Sequence, residues 1–361
     1  MDINDLLLKA EQGDTNAQLQ LGLYYKELDK TKENLQKAFF WFKKASKSRE
    51  PLACFNLAEC YTYGYGVQEN LNMGFYWYKV AGTKKYAPAQ YQVGYFYYNG
   101  MVEKKSIKKA IYWWEKASKQ EHSVACYMLA KLYYEGKEVQ KDYIKSAKLF
   151  MVASEQGHSF AQYYLGKILF FGNGVKKNLT RAVEFFALSA DNGNFFAQND
   201  LANCYEKGKG INQHLNLAFF WYKKSAEQGY INAEYNVARC YEFGIGTDCD
   251  LVAAYEWYTK AAEKGLGIAS SRLGDLCLNG RGREVDGNMA IYWYKKCIAS
   301  GDKDANRGEY GIAKCYKKGI GVKKNLQTAI KWYKLSSSHN NPLACRELRL
   351  LRITKKRKKN V

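Results

Sequence analysis

Ten cysteines and four histidines are the residues of this 361-residue chain best suited to redox, metal or acid–base chemistry. No Cys-x-x-Cys pair occurs, so the spacing that commonly grips zinc is missing. Cys60, Cys204, Cys240 and Cys315 share one sequence register and Cys54, Cys126 and Cys345 another, which points to small apolar fillers. His122 and His158 stand 36 residues apart, too far to ligate one ion without other residues, and His214 and His339 also fall at turns. No nucleophile stands with a base partner and no phosphate-binding loop is present, while Glu155, Glu227 and Glu263 recur as part of a helix-end pattern. These residues predict neither enzyme activity nor a metal or cofactor.

Charge is the next feature that could act on a partner. The net charge is +21, and residues 346–361 alone carry eight bases against one acid. Basic charge of this size favours acidic or polyanionic partners. Lys355, Lys356, Arg357, Lys358 and Lys359 form an unbroken basic tail, which suits a nuclear-import signal, a nucleic-acid arm or a solubilising end. A row of lysines (Lys43, Lys44, Lys79, Lys116, Lys223, Lys224, Lys260, Lys295, Lys296) suits a solvated helix face, or attraction to nucleic acid or an anionic membrane.

The elements that must position these residues are legible from a repeat. Alanine returns every 36 residues at Ala17, Ala53, Ala89, Ala125, Ala161, Ala197, Ala233 and Ala269, then at Gly308 and Ala344 after a three-residue insertion near Ala305-Asn306-Arg307. Twelve residues before each following anchor stands a large side chain: Trp41, Trp77, Trp113, Leu149, Phe185, Trp221, Trp257, Trp293 or Trp332. Within one unit Ala233, Val237, Ala238 and Tyr241 keep helical spacing until Gly244 and Gly246 break it. A second helix follows through Ala254, Trp257, Tyr258 and Ala261, and Gly265 stops it. Small residues at Gly22, Ala58, Gly94 and their equivalents predict close approach of the paired helices. The expected fold is all-α: a right-handed α-α superhelix, or solenoid, of about nine 36-residue hairpins. Residues 1–16 are expected to form an N-terminal half-repeat cap, 17–343 the nine repeats, and 344–361 a C-terminal capping helix and the basic tail. The tryptophans are expected in the core, so that Trp221→Ala should cost ~3–5 kcal/mol.

The pattern Ala-x-x-x-Leu-(Gly/Ala)-x-x-Tyr-x-x-Gly-x-Gly-Val, then Ala-x-x-Trp-Tyr-x-Lys-Ala, resembles the Sel-1-like repeat, a relative of the tetratricopeptide repeat; residues Ala53 to Ala81 and Ala233 to Gly265 carry it well. Unit one departs from the pattern, with Leu28 and Lys30 where the two glycines belong, so its turn is expected to be remodelled. The resemblance implies an adaptor whose ligands lie along a concave face lined by first helices, at two, six, nine and ten residues past each anchor. On this chain that face selects Tyr63, Tyr95, Tyr98, Lys131, Tyr134, Lys167, Phe170, Phe171, Asn203, Arg239 and Phe243. Phe55, Tyr91, Tyr127, Tyr163 and Tyr235, two past the anchor, suit ordinary repeat packing as well. Large amphipathic aromatics at a groove are typical binding anchors.

The expected function is a protein-protein interaction adaptor or scaffold that holds a peptide or protein domain, acidic partners being favoured by the charge. Binding of nucleic acid by the basic repeats is the alternative. The acidic N-terminus (Asp2, Asp5) is unlike a secretory signal, and no stretch approaches the ~20 apolar residues that span a bilayer. A cytoplasmic protein with free thiols is therefore expected, with the nucleus open to it through the tail.

Overall fold

A computed structural model describes residues 3–301 and 303–357; in 352–357 it describes the backbone alone. Among the described residues the secondary structure is helical throughout, twenty α-helices and one short 3-10 turn, and the chain divides into two compact units. Unit 1 (Met1–Asn178) holds α1 (Ile3–Glu11) and then four full pairs and one first helix. These are α2 (Thr15–Glu27) with α3 (Lys32–Ala45), α4 (Pro51–Tyr63) with α5 (Leu71–Thr83), α6 (Ala87–Asn99) with α7 (Ile107–Ser118), α8 (Ser123–Glu135) with α9 (Tyr143–Glu155), and α10 (Ser159–Phe171). Unit 2 (Leu179–Val361) begins with the second helix α11 (Leu179–Asp191). It continues with α12 (Phe195–Lys207) and α13 (Leu215–Glu227), α14 (Ile231–Phe243) and α15 (Leu251–Glu263), and α16 (Gly267–Asn279) and α17 (Gly287–Ala299). The pair α18 (Ala305–Lys318) and α19 (Leu326–Ser338) follows, and α20 (Pro342–Arg357) closes it. The fold is the expected helical-hairpin solenoid class; nothing in composition or spacing signalled the division at Asn178.

Helix ends follow the chemistry of their flanking residues. Second helices open on side chains that accept a first-turn amide, among them Asn70, Ser106, Asp142, Asp250 and Asn325. First helices from α4 to α18 close on glycine with positive φ, as at Gly64 (71°) and Gly244 (66°). The second glycine of the turn has a different duty. A Cβ on Gly246 would stand 2.0 Å from the Leu215 carbonyl oxygen, so glycine there lets the turn press on the start of the preceding second helix. In the first pair the turn is indeed remodelled: Leu28 is extended, and Thr31 caps α3 through the Asn34 amide. The three-residue insertion lies a little before its expected place, in the longer connection between Ala299 and Ala305, with one extra residue at the start of α18.

One sequence expectation needs correcting. The recurrent tryptophans are not uniformly core: Trp77, Trp221, Trp257 and Trp332 are only partly buried. The innermost layer is the residue one position later: Phe42, Tyr78, Trp114 and Phe150 in unit 1, and Phe186, Tyr222, Tyr258, Tyr294 and Tyr333 in unit 2, all 2% exposed or less. One residue is a 100° rotation on a helix, enough to turn the next side chain between the helices and leave the tryptophan at the rim. Small residues face this layer as expected, Gly22 against Phe42, Gly94 against Trp114 and Gly274 against Tyr294. At the ends, α1 packs through Leu6, Leu7 and Ala10 on Ala17, Leu21 and Trp41, while Ala344, Leu348 and Leu351 of α20 pack near Ala313, Ala329 and Tyr333.

Candidate binding face

Within each unit the first helices of successive repeats adjoin, so side chains 30–39 residues apart in sequence meet. In unit 1 Lys26 of α2 reaches Glu59 of α4 at 2.6 Å, and the rings of Tyr134 (α8) and Tyr164 (α10) lie 5.0 Å apart. In unit 2 Asn236 of α14 donates to Asn199 of α12 at 2.9 Å, and Lys314 of α18 meets Asp275 of α16 at 3.0 Å.

In unit 1 this face is aromatic. Tyr63 and Tyr95 are exposed, with Tyr65 5.5 Å from Tyr63 and Tyr91 6.3 Å from Tyr95. Tyr98 is half-buried, 5.4 Å from Trp114 and under the ammonium of Lys105. Tyr134 is half-buried between Tyr143 and Tyr164. Lys131 lies 4.0 Å from Glu135, and Lys167 extends over the Tyr163 ring. Phe171 is 61% exposed, whereas Phe170, which meets it edge-on, is half-buried. The aromatics two past each anchor divide: Phe55, Tyr127 and Tyr235 pack on core rings and Tyr163 is nearly buried, which is repeat packing, whereas Tyr91 lies between Tyr95 and the His122 ring.

The same face of unit 2 is a charge ladder that sequence reasoning did not foresee. Arg239 is bonded to Glu206 on the preceding first helix, and the Tyr222 hydroxyl donates to the same carboxylate at 2.9 Å. Burial works against the Glu206 charge, but these two donors outweigh it and hold the carboxyl below its usual range. Glu242 accepts from Arg281 and from the Tyr258 hydroxyl, each at 2.7 Å. Asn203 donates to the Tyr222 hydroxyl at 3.5 Å, so both polar residues selected in this part of the track, Asn203 and Arg239, are engaged within the fold. Phe243 is exposed, with two guanidinium groups, Arg272 and Arg281, about its ring at 5.9 and 6.0 Å.

His122 and His158 have a role that their shared register concealed. Each is the N-cap of its first helix, its Nδ1 accepting the Ala125 or Ala161 amide at 3.3 Å. Each ring also stacks on a tyrosine, His122 on Tyr91 at 5.4 Å and His158 on Tyr127 at 4.4 Å. The signal was present in the sequence, because Asp14, Glu50 and Asn194 occupy the same slot and cap in the same way. Burial holds both imidazoles below the usual histidine range. A depressed pKa means the unfolded chain takes up protons first as pH falls. The stability from these caps is therefore present above about pH 6.5 and lost on acidification below it. Urea midpoints measured from pH 7.5 to 5 should fall for the wild type and fall less for His122→Asn/His158→Asn. An equal fall in both would remove the histidines from that titration.

Charge in unit 1 is segregated. Helices α3, α5, α7 and α9 carry ten lysines against three acids, whereas α2, α4, α6, α8 and α10 carry three against three. The expected lysine row thus lies on second helices, where Lys44 covers the rings of Phe40 and Trp41, and Lys116 those of Tyr112 and Trp113. Lys355, Lys356 and Arg357 fall in the last turn of α20, where only backbone is described, and Lys358 and Lys359 lie outside the described residues. Among the described residues no helix is long and apolar enough to cross a membrane.

The Sel1 repeat profile matches nine times, at residues 15–48, 51–86, 87–122, 123–158, 159–194, 196–230, 231–266, 268–302 and 307–341. No curated protein matches significantly. Among solved structures the chain is similar to a protective antigen of uropathogenic Escherichia coli that displays an SLR fold. The two share 27% identity over 96% of this chain and 82% of that one, with a TM-score of 0.79. It is also similar to a Sel1 repeat protein from Oxalobacter formigenes, at 25% identity over 96% of this chain and 89% of the other, with a TM-score of 0.60. Sel1 repeats in general build protein-interaction scaffolds rather than enzymes. With nine matched repeats on a fold shared with those two proteins, this chain belongs to the Sel1 repeat family.

Proposed function

We propose that the chain is a protein-interaction adaptor whose recognition surface is the first-helix face of unit 1, where an extended segment of a partner protein lies across α4, α6, α8 and α10. The observation that carries this reading is the pairing of exposed aromatic rings with local electroneutrality. Tyr63, Tyr95 and Phe171 offer apolar area and, in the tyrosines, a hydroxyl, while the first helices bring no net charge that a partner must match. Tyrosine loses little rotamer freedom on contact, so such a surface recognises shape and backbone groups at small entropic cost.

The test is a crosslinked pull-down from native lysate, with and without nuclease, followed by affinity measurement on the proteins retained. Tyr63→Ala/Tyr95→Ala should lower affinity at least tenfold, as expected for two interface anchors, with an unchanged helical circular-dichroism spectrum. Unchanged affinity would take this cluster out of the reading. Nucleic acid remains the second reading because of the surplus of seven positive charges on the second helices of unit 1. Its signature is recovery that collapses with nuclease and binding that weakens steeply with salt. Repeating the pull-down with a chain ending at Ile353 separates the basic tail from both faces.

A further inference from the structure

The ladder of unit 2 is one carboxylate short. A depression of about 210 Å3 is lined by Glu242, Asp275, Asn279 and three cations, Arg272, Arg281 and Lys314. Each carboxylate already holds one cation and one tyrosine hydroxyl. Glu242 accepts from Arg281 at one oxygen and from the Tyr258 hydroxyl at the other. Asp275 accepts from Lys314 at 3.0 Å and from the Tyr294 hydroxyl at 2.8 Å. Arg272 has no ion pair among the described residues, although Tyr235 is a hydrogen-bonding neighbour, and its Nε is buried with no acceptor. A guanidinium keeps its charge throughout the physiological range and presents five donors in a planar fork. Leaving a buried donor unmet is a cost that folded proteins rarely carry without a reason.

We propose that this depression is a docking site for a single carboxylate, the side chain of a glutamate or aspartate in an extended peptide, received by Arg272 with Asn279 beside it. Three features select that ligand. The surplus inside the depression is one positive charge, which a monoanion balances and a dianion exceeds. The two fixed carboxylates repel a doubly charged phosphate more strongly than a carboxylate. The volume also suits a side-chain terminus better than a cofactor, since such ligands occupy some 300–1,000 Å3. Phe243, exposed beside the Arg272 guanidinium, offers its ring to the aliphatic stem of the incoming residue. The inference rests on reading first-helix faces as peptide-binding surfaces, but it concerns unit 2 and residues apart from the tyrosine cluster.

The experiment is a titration of the full chain followed through the arginine Nε–Hε signals in nitrogen-15 NMR spectra, the Arg272 signal being identified by its loss in Arg272→Met. The probes are acetylated tetraglutamate amide, tetraglutamine amide and inorganic phosphate. Tetraglutamate should shift the Arg272 signal saturably, tetraglutamine should not, and phosphate should act at least tenfold more weakly. Binding of the tetraglutamate probe, read from its own signals, should weaken at least tenfold in Arg272→Met. Arg281→Met should weaken it too, because the freed Glu242 then pairs with Arg272 and removes the surplus charge. The titration should be unaltered by Tyr63→Ala/Tyr95→Ala, so that failure here and failure of the unit 1 reading stay distinguishable. A silent Arg272 signal, phosphate binding as strong as tetraglutamate binding, or full affinity in Arg272→Met would overturn the assignment.

Discussion

Replacing Tyr222 with alanine should destabilise unit 2 by ~3–5 kcal/mol, while replacing its neighbour Trp221 should cost roughly half as much. The larger side chain gives the smaller effect because position in the hairpin outweighs size. Tyr222 is fully buried between helices and packs with Ala202, Ala218, Ala233 and Val237. Its hydroxyl also donates to Glu206. Trp221 stands at the rim and keeps part of its surface in water in the folded state, so truncation returns less apolar area to solvent. Tyr222→Phe isolates the hydroxyl. Glu206 keeps Arg239, so the loss there should be about 1 kcal/mol, the usual contribution of one hydrogen bond. Urea unfolding followed by far-ultraviolet circular dichroism ranks the three variants. A Trp221→Ala variant at least as unstable as Tyr222→Ala would return the core to the tryptophan layer.

Gly94→Ala should destabilise unit 1 by ~1–3 kcal/mol, the range for overpacking a tight core. On an ordinary helix the same change is favourable by about 1 kcal/mol, so the sign itself is diagnostic. Gly94 lies in α6 against Trp114 of α7, and a Cβ there would stand 2.4 Å from two atoms of the indole. The indole cannot easily give way, since it is fully buried and its Nε1 donates to the Tyr91 carbonyl at 3.1 Å. Trp114→Phe in the Gly94→Ala background should recover part of the loss. The rescue stays partial because the Ala110 carbonyl is also close, at 3.1 Å from the new Cβ. Where the facing residue is alanine, as at Ala58 or Ala238, the buried ring is the smaller Tyr78 or Tyr258, so the largest ring of the layer stands opposite a glycine. Thermal melts of the single and double variants check both directions; a stabilised Gly94→Ala would mean that the helices separate without cost.

The repeat period and the helix pairs were legible because each is written nine times in similar letters, and the glycine that closes the first helix because it returns eight times. The innermost layer was harder to read. Tryptophan is rare and marks a column by itself, while the buried column beside it is filled in turn by Phe42, Tyr78, Trp114, Phe150 and Tyr222, which no single letter labels. The histidine caps were hidden in the same way, since aspartate, glutamate, histidine and asparagine perform one task at one register. Face membership was legible from spacing, but engagement was not. Arg239 looks available in sequence and is bonded to Glu206, a partner 33 residues away whose approach depends on how two repeats stack. Arg272 was not selected at all, because it stands three residues past its anchor, one step outside the track that the resemblance implied.

The segregation of charge in unit 1 gives that unit an electric polarity across its hairpins, which acts before any contact forms. Near a polyanion a torque turns the second helices inward and the tyrosine cluster outward, whatever the polyanion is. The range of that torque is set by ions, about 10 Å at 0.1 M salt. A protein tethered in this sense by its cationic side would search for partners with its aromatic side already facing the solution, so that loss of orientation, rather than loss of affinity, would be the first effect of raising the salt.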